Sequence, residues 1–276
     1  MAAEPALEIR LLGGFETRVG ARLVPSSVWR QRRAAAIVKL LALEPGHRLH
    51  REQLLDTLWP ELDPESAANN LRVALHHARH GLEDAGAPPG AFLARDGDVV
   101  LLGPPQSVRV DVETFALEVS RAWQSSDPAT AARATEHYAG DLLPGDPYEE
   151  WAAARREGLR ASYLTLLTRL AGLHEERGEL SQAIAARERM LLIDPLDEAT
   201  HAALMRLHAR MGNSSLALAQ YARLQSLLDR DLGTPPEPAT QVLAADIRAG
   251  RVALGPVSVA PRDAPPPAQS VAAIAL

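Results

Sequence analysis

The sequence predicts a mainly α-helical protein in which a small α+β region comes first and an all-α region of repeated helices follows. Three observations support this fold class. Short alternating apolar patterns frame three helical segments before residue 110, strand patterns stop at Asp111, and a set of apolar and glycine positions recurs after 34 residues. The length of 276 residues suits two domains of ordinary size.

The first region opens and closes with strand patterns. Apolar residues alternate along residues 7–24 and are interrupted by glycines, which predicts short antiparallel strands; the alternating residues are Leu7, Ile9, Leu11, Phe15, Thr17, Val19 and Leu23. Near residue 96, Asp96-Gly97 separates two apolar runs, a pattern typical of a tight β-hairpin.

Three helices are predicted between these strands. The first runs from about Arg32 to Leu43, the second from about Arg51 to Trp59, and the third begins after Asp63-Pro64, an N-cap residue followed by proline. Their predicted core positions are Ile37, Leu40, Leu41, Leu54, Leu55, Leu58 and Trp59. Strands, three helices and a closing hairpin are the layout of a winged helix-turn-helix.

Helical patterns then continue at about 111–125, 128–139, 148–177, 180–193, 197–211, 214–231 and 237–250. Gly178, Ala183 and Ile184 recur as Gly212, Ala217 and Leu218, and Leu170 and Leu173 recur as Leu204 and Leu207. A period of 34 residues is that of tetratricopeptide helix pairs. We therefore predict a winged-helix domain over 1–110, a helical-repeat domain over 111–251 and an Ala/Pro-rich tail or linker over 252–276.

The third helix divides into two faces. At 100° per residue an apolar stripe collects on one side and polar residues on the other; the stripe is Leu71, Ala74, Leu75, Ala78 and Leu82, and the opposite arc is Asn69, Arg72, Val73, His76, Arg79 and His80. Asn pairs with adenine, Arg with guanine or phosphate, and Val contacts a thymine methyl. The arc suits a DNA groove, although an amphipathic helix with a solvated polar face has the same pattern.

Arginines flank this helix in the sequence. Arg30, Arg32 and Arg33 lie at the start of the first helix, where they could contact the DNA backbone or simply be solvated. Arg95 precedes the predicted hairpin turn, where a wing would meet the minor groove or backbone, although Asp96 and Asp98 repel phosphate.

The formal charge of −6 opposes non-specific DNA binding, but it is unevenly distributed. Residues 1–110 hold 13 basic and 13 acidic side chains, whereas residues 111–276 hold 16 and 22. The first region is thus neutral, and Lys39 is the only lysine in the chain.

Several classes of protein are disfavoured. There is no glycine-rich phosphate loop before Lys39 and no G-x-S-x-G sequence, and the carboxylates Asp141, Asp146, Glu149 and Glu150 are expected in a solvated loop and helix start, so we predict no enzyme. His76 and His80 are spaced i, i+4 without an evident third ligand, and cysteine is absent, so we predict neither metal nor cofactor. No apolar run suits a membrane span or a secretory signal, and we expect a bacterial cytoplasmic, nucleoid-associated protein.

Particular segments resemble a known family. In order these are LEIRLLGGFETRVG, RQRRAAAIVKLLAL, HREQLLDTLWP and DPESAANNLRVALHHAR, followed by DVETFALEV, YAGDLLPG, YEEWAAARREGLR and the 34-residue repeat. They are similar to the SARP type of bacterial transcriptional activator over about residues 7–250. That family joins an OmpR/PhoB-type winged helix to a bacterial transcriptional activation domain of tetratricopeptide-like helices.

The resemblance implies an activator that docks its third helix in the major groove of a direct-repeat promoter site. It gives a recognition-helix role to Asn69, Asn70, Arg72, Val73, His76 and Arg79, and a DNA-backbone role to Arg32, Arg33 and Arg51. It also implies that the loop Pro60–Pro64 faces the RNA polymerase sigma factor, with Glu61 and Asp63 as the contacting acids. Because this helix is poorer in basic residues than family recognition helices, we expect a homodimer on DNA or help from polymerase.

An alternative function fits the neutral charge of the first region. The chain could be a tetratricopeptide-type scaffold whose winged helix binds protein rather than DNA. A strong dependence of binding on salt would distinguish DNA binding from this alternative.

Overall fold

The computed structural model describes residues 7–251. The strands are β1 (Leu7–Arg10), β2 (Glu16–Val19), β3 (Arg22–Leu23), β4 (Arg48–His50), β5 (Leu93–Asp96), β6 (Val99–Leu102) and β7 (Val108–Val110). The α-helices are α1 (Arg32–Leu43), α2 (Arg51–Leu58), α3 (Pro64–Asp84), α4 (Asp111–Gln124), α5 (Pro128–Glu136), α6 (Glu150–Glu176), α7 (Leu180–Ile193), α8 (Glu198–Arg210), α9 (Ser214–Leu232) and α10 (Pro238–Arg248). The mainly α fold class is confirmed; the predicted tail, 252–276, lies outside the described residues.

The described chain groups into two compact units. The first contains the chain up to Ser120 together with Glu136–Ala161, and the second contains Arg121–Thr135 and the chain from Ser162 onward. A segment that follows Asp111 in the sequence therefore folds with the N-terminal strands and helices.

Two small sheets frame the helices of the first unit. One has the order β3-β2-β1-β7, with β1 antiparallel to β2 and parallel to β7, and the other has the order β4-β6-β5 with antiparallel neighbours. Strands β4 and β7 were not predicted, because three residues are too few for a recognisable alternation and their pairing partners are distant in the sequence. With α1, α2 and α3 these sheets form the winged helix-turn-helix.

Most predicted core residues of this unit are buried. Leu7, Ile9 and Leu11 are at most 1% exposed, and α1 is buried from Ala34 to Leu43. In α2, Leu54 and Leu58 are fully buried as predicted. The predictions that Leu55 and Trp59 are core residues are only partly correct, because both side chains are half-buried. Leu23 is 48% exposed, because it lies on a two-residue edge strand.

The hairpin between β5 and β6 turns one residue later than the sequence suggested. Asp96 is already paired with Val99, so Gly97 and Asp98 form the turn. Gly97 has a φ of 58°, a left-handed conformation that glycine adopts without strain. The motif predicted the hairpin correctly but not its register.

Residues Tyr138–Arg160, which we call the brace, are held together by polar contacts. The Asp141 carboxylate accepts hydrogen bonds from the Tyr138 hydroxyl and the Arg160 guanidinium, and the bond from Arg160 holds the pKa of this carboxyl below its usual range. Arg156 donates to the carbonyl oxygens of Leu142, Asp146 and Pro147. The expectation of free, solvated loop carboxylates is therefore wrong for Asp141.

The brace is attached to the winged helix by partly buried ion pairs. The ammonium of Lys39 on α1 lies 2.6 Å from a carboxylate oxygen of Asp146 and 4.5 Å from the centre of the Phe15 ring. Arg155 pairs with Glu44 at 2.8 Å. Asp146 is thus a structural partner of the only lysine rather than a solvated loop residue.

Backbone contacts complete this attachment. Leu142 forms a β-bridge with Leu12 at the end of β1. The Asp111 carboxylate at the start of α4 accepts hydrogen bonds from the N–H groups of Leu11 and Leu12. Burial raises the pKa of Asp111, and these N–H groups oppose that rise.

The second unit contains the helical repeat. The N–H groups of Glu179 and Asn213 donate over 2.9 Å to the carbonyls of His174 and His208, so the same helix-ending turn recurs after 34 residues. The repeated small residues Ala183 and Ala217 are 0% exposed. The repeated leucines are also buried; they are Leu170, Leu173, Leu204 and Leu207.

Polar side chains also join helices within the second unit. Glu175 of α6 accepts hydrogen bonds from Arg187 of α7 and Arg210 of α8. Between residues 7 and 251, the structure contains no helix with the length and apolarity needed to cross a lipid bilayer.

The contact between Lys39 and Asp146 leads to a test of the brace. Asp146→Ala leaves the ammonium of Lys39, whose side chain is 10% exposed, without its carboxylate. Because removing one partner of a buried pair is costly, we expect the free energy of unfolding to fall by about 2–3 kcal/mol. Urea unfolding followed by tryptophan fluorescence measures this change.

Asp229→Ala is the matched control, since Asp229 is exposed on α9. We expect its effect to stay within about 0.5 kcal/mol. Equal stability of Asp146→Ala and the wild type would show that the Lys39–Asp146 pair does not help to hold the brace on the winged helix.

Candidate nucleic-acid interface

Helix α3 begins at a well-formed cap. The Asp63 carboxylate accepts hydrogen bonds from the N–H groups of Glu65 at 3.1 Å and Ser66 at 3.0 Å, and Pro64 occupies the first helical position. These bonds, foremost the one from Ser66, hold the pKa of the Asp63 carboxyl below its usual range. The predicted start of the helix is confirmed.

One side of α3 is buried within the first unit. The residues involved are Ala67, Leu71, Ala74, Leu75, Ala78, Gly81 and Leu82. They include the whole predicted stripe. Helix α3 packs against α1, α2, β5 and the 3-10 turn Val28–Arg30.

Gly81 permits the close approach of α3 to that 3-10 turn. A Cβ atom added at Gly81 would lie 2.0 Å from Cγ1 of Val28, far inside van der Waals contact. Since valine has one strongly preferred rotamer in most backbones, the turn would have to move. Gly81 therefore determines how closely the apolar stripe of α3 packs against the 3-10 turn.

The opposite side of α3 is exposed. We call it the α3 face, defined as Asn69, Asn70, Arg72, Val73, His76, His77 and His80. Val73 is 47% exposed, and Arg72 donates to the side-chain oxygen of Asn69 at 3.2 Å. The predicted residues Asn69, Asn70, Arg72, Val73 and His76 thus lie together on one surface. His77 was not among the residues predicted for this surface. His80 was on the predicted polar arc, but it was given no role in DNA recognition.

Arg79 differs from the other predicted recognition residues. Its side chain is half-buried, and its Nε donates to the main-chain oxygen of Leu93 on β5 at 2.7 Å. This bond ties α3 to the hairpin and draws Arg79 away from the α3 face.

The arginines near the hairpin turn converge on one acid. Arg51 lies 3.7 Å from Asp98, and Arg95 donates to the Asp98 carboxylate at 3.3 Å and to the Gly97 carbonyl at 2.6 Å. Asp98 therefore offsets part of the positive charge that either arginine offers to a phosphate.

The arginines before and at the start of α1 are exposed, but acidic side chains lie near them. Arg32 and Arg33 line a cleft together with Asp56 and Glu150, and the Arg33 guanidinium is 5.8 Å from the centre of the Trp59 ring. Arg30 is also exposed. The nearby carboxylates weaken the attraction of this cluster for phosphate.

The loop between α2 and α3 carries the two acids predicted to contact polymerase. Glu61 is exposed, whereas the Asp63 carboxylate already accepts two N–H groups as the helix cap. Leu62 between them is 43% exposed.

Known families match both parts of the chain. Residues 110–248, half of the chain, match the bacterial transcriptional activator domain, and residues 26–93 match the family described as transcriptional regulatory protein, C terminal. The chain belongs to the SARP family of bacterial transcriptional activators. The resemblance seen in the sequence is thereby confirmed.

Curated relatives of this SARP chain are also regulators. Regulatory protein AfsR of Streptomyces coelicolor is 26% identical over 239 residues, which cover 82% of this chain and 23% of AfsR. Transcriptional regulatory protein EmbR of Mycobacterium tuberculosis is 24% identical over 253 residues, covering 87% and 63%. Transcriptional regulator RedD of Streptomyces coelicolor is 29% identical over 210 residues, covering 72% and 59%. The SARP chain thus spans less than two thirds of each relative.

A solved structure shares the fold of the SARP chain. Mycobacterium tuberculosis EmbR, in complex with a low affinity phosphopeptide, superposes with a TM-score of 0.65 at 22% identity and covers 99% of this chain and 69% of that one. At this identity the likeness establishes the winged-helix and helical-repeat fold alone.

The seating of α3 leads to a test that compares two helical glycines. Gly81→Ala in this SARP chain forces a methyl group against Val28. We expect the free energy of unfolding to fall by about 1–3 kcal/mol, the usual cost of overpacking. Gly172→Ala on α6 is the control, since a Cβ there meets nothing within 4 Å.

The control should be stabilised by about 0.5–1 kcal/mol, because alanine favours a helix over glycine. Urea unfolding of both variants measures whether each substitution lowers or raises the free energy of unfolding. A stabilised Gly81→Ala variant would mean that α3 is not held against the 3-10 turn.

Proposed function

We propose that this chain is a non-catalytic transcriptional activator that binds DNA by placing α3 in the major groove of a direct-repeat promoter site. The single observation that carries the proposal is the division of α3 into a buried stripe and an exposed α3 face. Asn69, Asn70, Arg72, Val73 and His76 on that face offer the donor, acceptor and apolar groups that match base edges. We propose residues 1–110 as the DNA-binding domain and 111–251 as the helical domain.

We assign the remaining predicted residues by their contacts. Arg79 is proposed as a positioning residue, because its bond to Leu93 holds α3 against β5. Arg51 and Arg95 are proposed to contact the DNA backbone after exchanging Asp98 for phosphate. Exposed Arg30, Arg32 and Arg33 are proposed as further backbone contacts that are weakened by neighbouring acids.

We propose the partners of this chain from the few arginines on α3 and from the exposed loop between α2 and α3. Because α3 carries only two arginines, and one of them is bonded to β5, a single copy neutralises few phosphates. Two copies on a direct repeat double the contacts, with half-sites spaced by about one helical turn. The exposed acid Glu61 beside Leu62 suits a basic surface of the polymerase sigma factor, and Asp63 contributes chiefly by shaping the loop. We propose a cytoplasmic, nucleoid-associated location.

A second candidate function is a scaffold that binds protein through its winged helix. It is favoured by Tyr148, which is 95% exposed beside the cleft that contains Arg32 and Glu150. A protein partner would be retained with little dependence on salt, whereas DNA retention should fall steeply as salt rises.

The experiment selects duplexes from a random-sequence pool with the wild-type chain and then compares variants on the selected duplex. Arg72→Ala should weaken binding by about tenfold to a hundredfold, the usual value of one base-reading arginine. Asn69→Ala with Asn70→Ala should weaken binding and relax the sequence preference. Mobility shift and helical circular dichroism supply the two measurements.

Arg133→Ala is the matched control, because Arg133 is exposed on α5. It should bind the selected duplex as the wild type does. Unchanged binding of both α3 variants would place the DNA on another surface, and failure of the wild type to enrich any sequence would reject specific DNA binding.

A further inference from the structure

We propose that DNA binding by this chain takes up protons, through His76, His77 and His80 becoming charged between the phosphates that line the groove. This inference rests on the proposed DNA-binding function of α3. It adds a titratable charge to a surface that is otherwise poor in cations.

Four arginines on or near α3 have hydrogen-bond or ion-pair partners within the protein. Arg72 donates to Asn69, and Arg79 is turned toward Leu93. Arg51 and Arg95 both contact Asp98. Asp98 offsets part of the charge of Arg51 and Arg95, and α3 itself carries only two arginines to oppose a duplex that has one phosphate for every 1.7 Å or so of its axis.

Three imidazoles lie on the same face, and the ring of His76 is near both of the others. The rings of His76 and His80 are stacked with centres 6.1 Å apart, and the rings of His76 and His77 are 5.9 Å apart. All three side chains are exposed. With Val73 they occupy the part of α3 opposite the buried stripe, so DNA docked on this face meets the imidazoles directly.

The charged groups on the elements around these rings are as follows. On α3 itself, Asp84 lies 3.6 Å from Nδ1 of His80, and the other charged residues of this helix are Glu65, Arg72, Arg79 and Glu83. The elements packed against α3 carry the charged residues Arg30, Arg32, Arg33, Lys39, Arg51, Glu52, Asp56, Arg95 and Asp96. Among residues 7–251, none of these forms an ion pair with His76, His77 or His80.

Two opposite electrostatic effects act on the imidazoles. Neighbouring imidazoles repel each other when both are charged, and histidine is the side chain whose charge changes between about pH 5 and pH 8. Phosphates on both sides of a groove reverse this balance, since an opposite charge nearby favours the protonated form. The face therefore gains charge when DNA binds.

A metal ion is a poorer explanation for the histidine cluster. In the part of the chain that the structure describes, no group of three His, Cys, Asp or Glu side chains is arranged to hold one. Measurements in a chelating buffer remove any contribution from bridging between His76 and His80.

The test uses the whole chain and the selected duplex. Binding is measured at about pH 6 and about pH 8, the range in which histidine changes charge. Isothermal titration in two buffers of different ionisation enthalpy counts the protons taken up. The variants are His76→Gln with His77→Gln and His80→Gln together, and the control His137→Gln, whose side chain is exposed outside α3.

For the wild type and the control, we expect affinity to rise at least tenfold from the higher to the lower pH, with about one to three protons taken up. The slope of log affinity against log salt should steepen at the lower pH by about 0.9 for each phosphate neutralised. The triple variant also loses His76 from the proposed interface, so we expect weaker binding at the higher pH, and it should lose most of both responses.

Each contrary result has a distinct meaning. Tight binding without proton uptake overturns this inference and leaves the proposed function intact. Proton uptake that persists in the triple variant also overturns it, as does its loss in His137→Gln. If no duplex is bound at either pH while circular dichroism shows folded chain, the proposed function fails as well.

Discussion

Burial of the apolar stripe of α3 is the constraint on which the proposed interface depends. Leu71, Leu75 and Leu82 leave water together, and because successive residues are turned by 100°, the residues between them must point the other way. Gly81 allows this packing by removing the Cβ that would meet Val28. The α3 face is thus exposed as a consequence of folding, and its residue types decide what it binds.

A buried charge extends this fold beyond the winged helix itself. The ammonium of Lys39 is buried on α1, and a buried ammonium is tolerated only beside an acid. Asp146 supplies that acid from the brace, 107 residues later in the chain. The proposed DNA-binding domain is therefore held by side chains that a fragment ending at residue 110 would lack.

Helices whose limits depend on local periodicity were predicted well from the sequence. Helix α7 is predicted over 180–193 and spans Leu180–Ile193, since its apolar spacing lies within the segment and turn residues, Gly178 and Asp194-Pro195, bound it. The parallel pairing of β1 with β7 was not predictable, because it joins segments about a hundred residues apart. At the site, the helical wheel placed Arg72 correctly but failed for Arg79, whose partner is the main-chain carbonyl of Leu93. No sequence motif marks such an acceptor.

Site-directed cleavage tests directly whether α3 docks in the major groove of DNA. The chain contains no cysteine, so Val73→Cys on the α3 face and Leu117→Cys on α4, two comparably exposed positions, each provide a unique thiol for an iron-EDTA cleavage reagent. If α3 lies in the major groove, position 73 should cut within each half-site of the selected duplex, in the pattern of a major-groove source, and position 117 should not. Cuts from position 117 alone would contradict it.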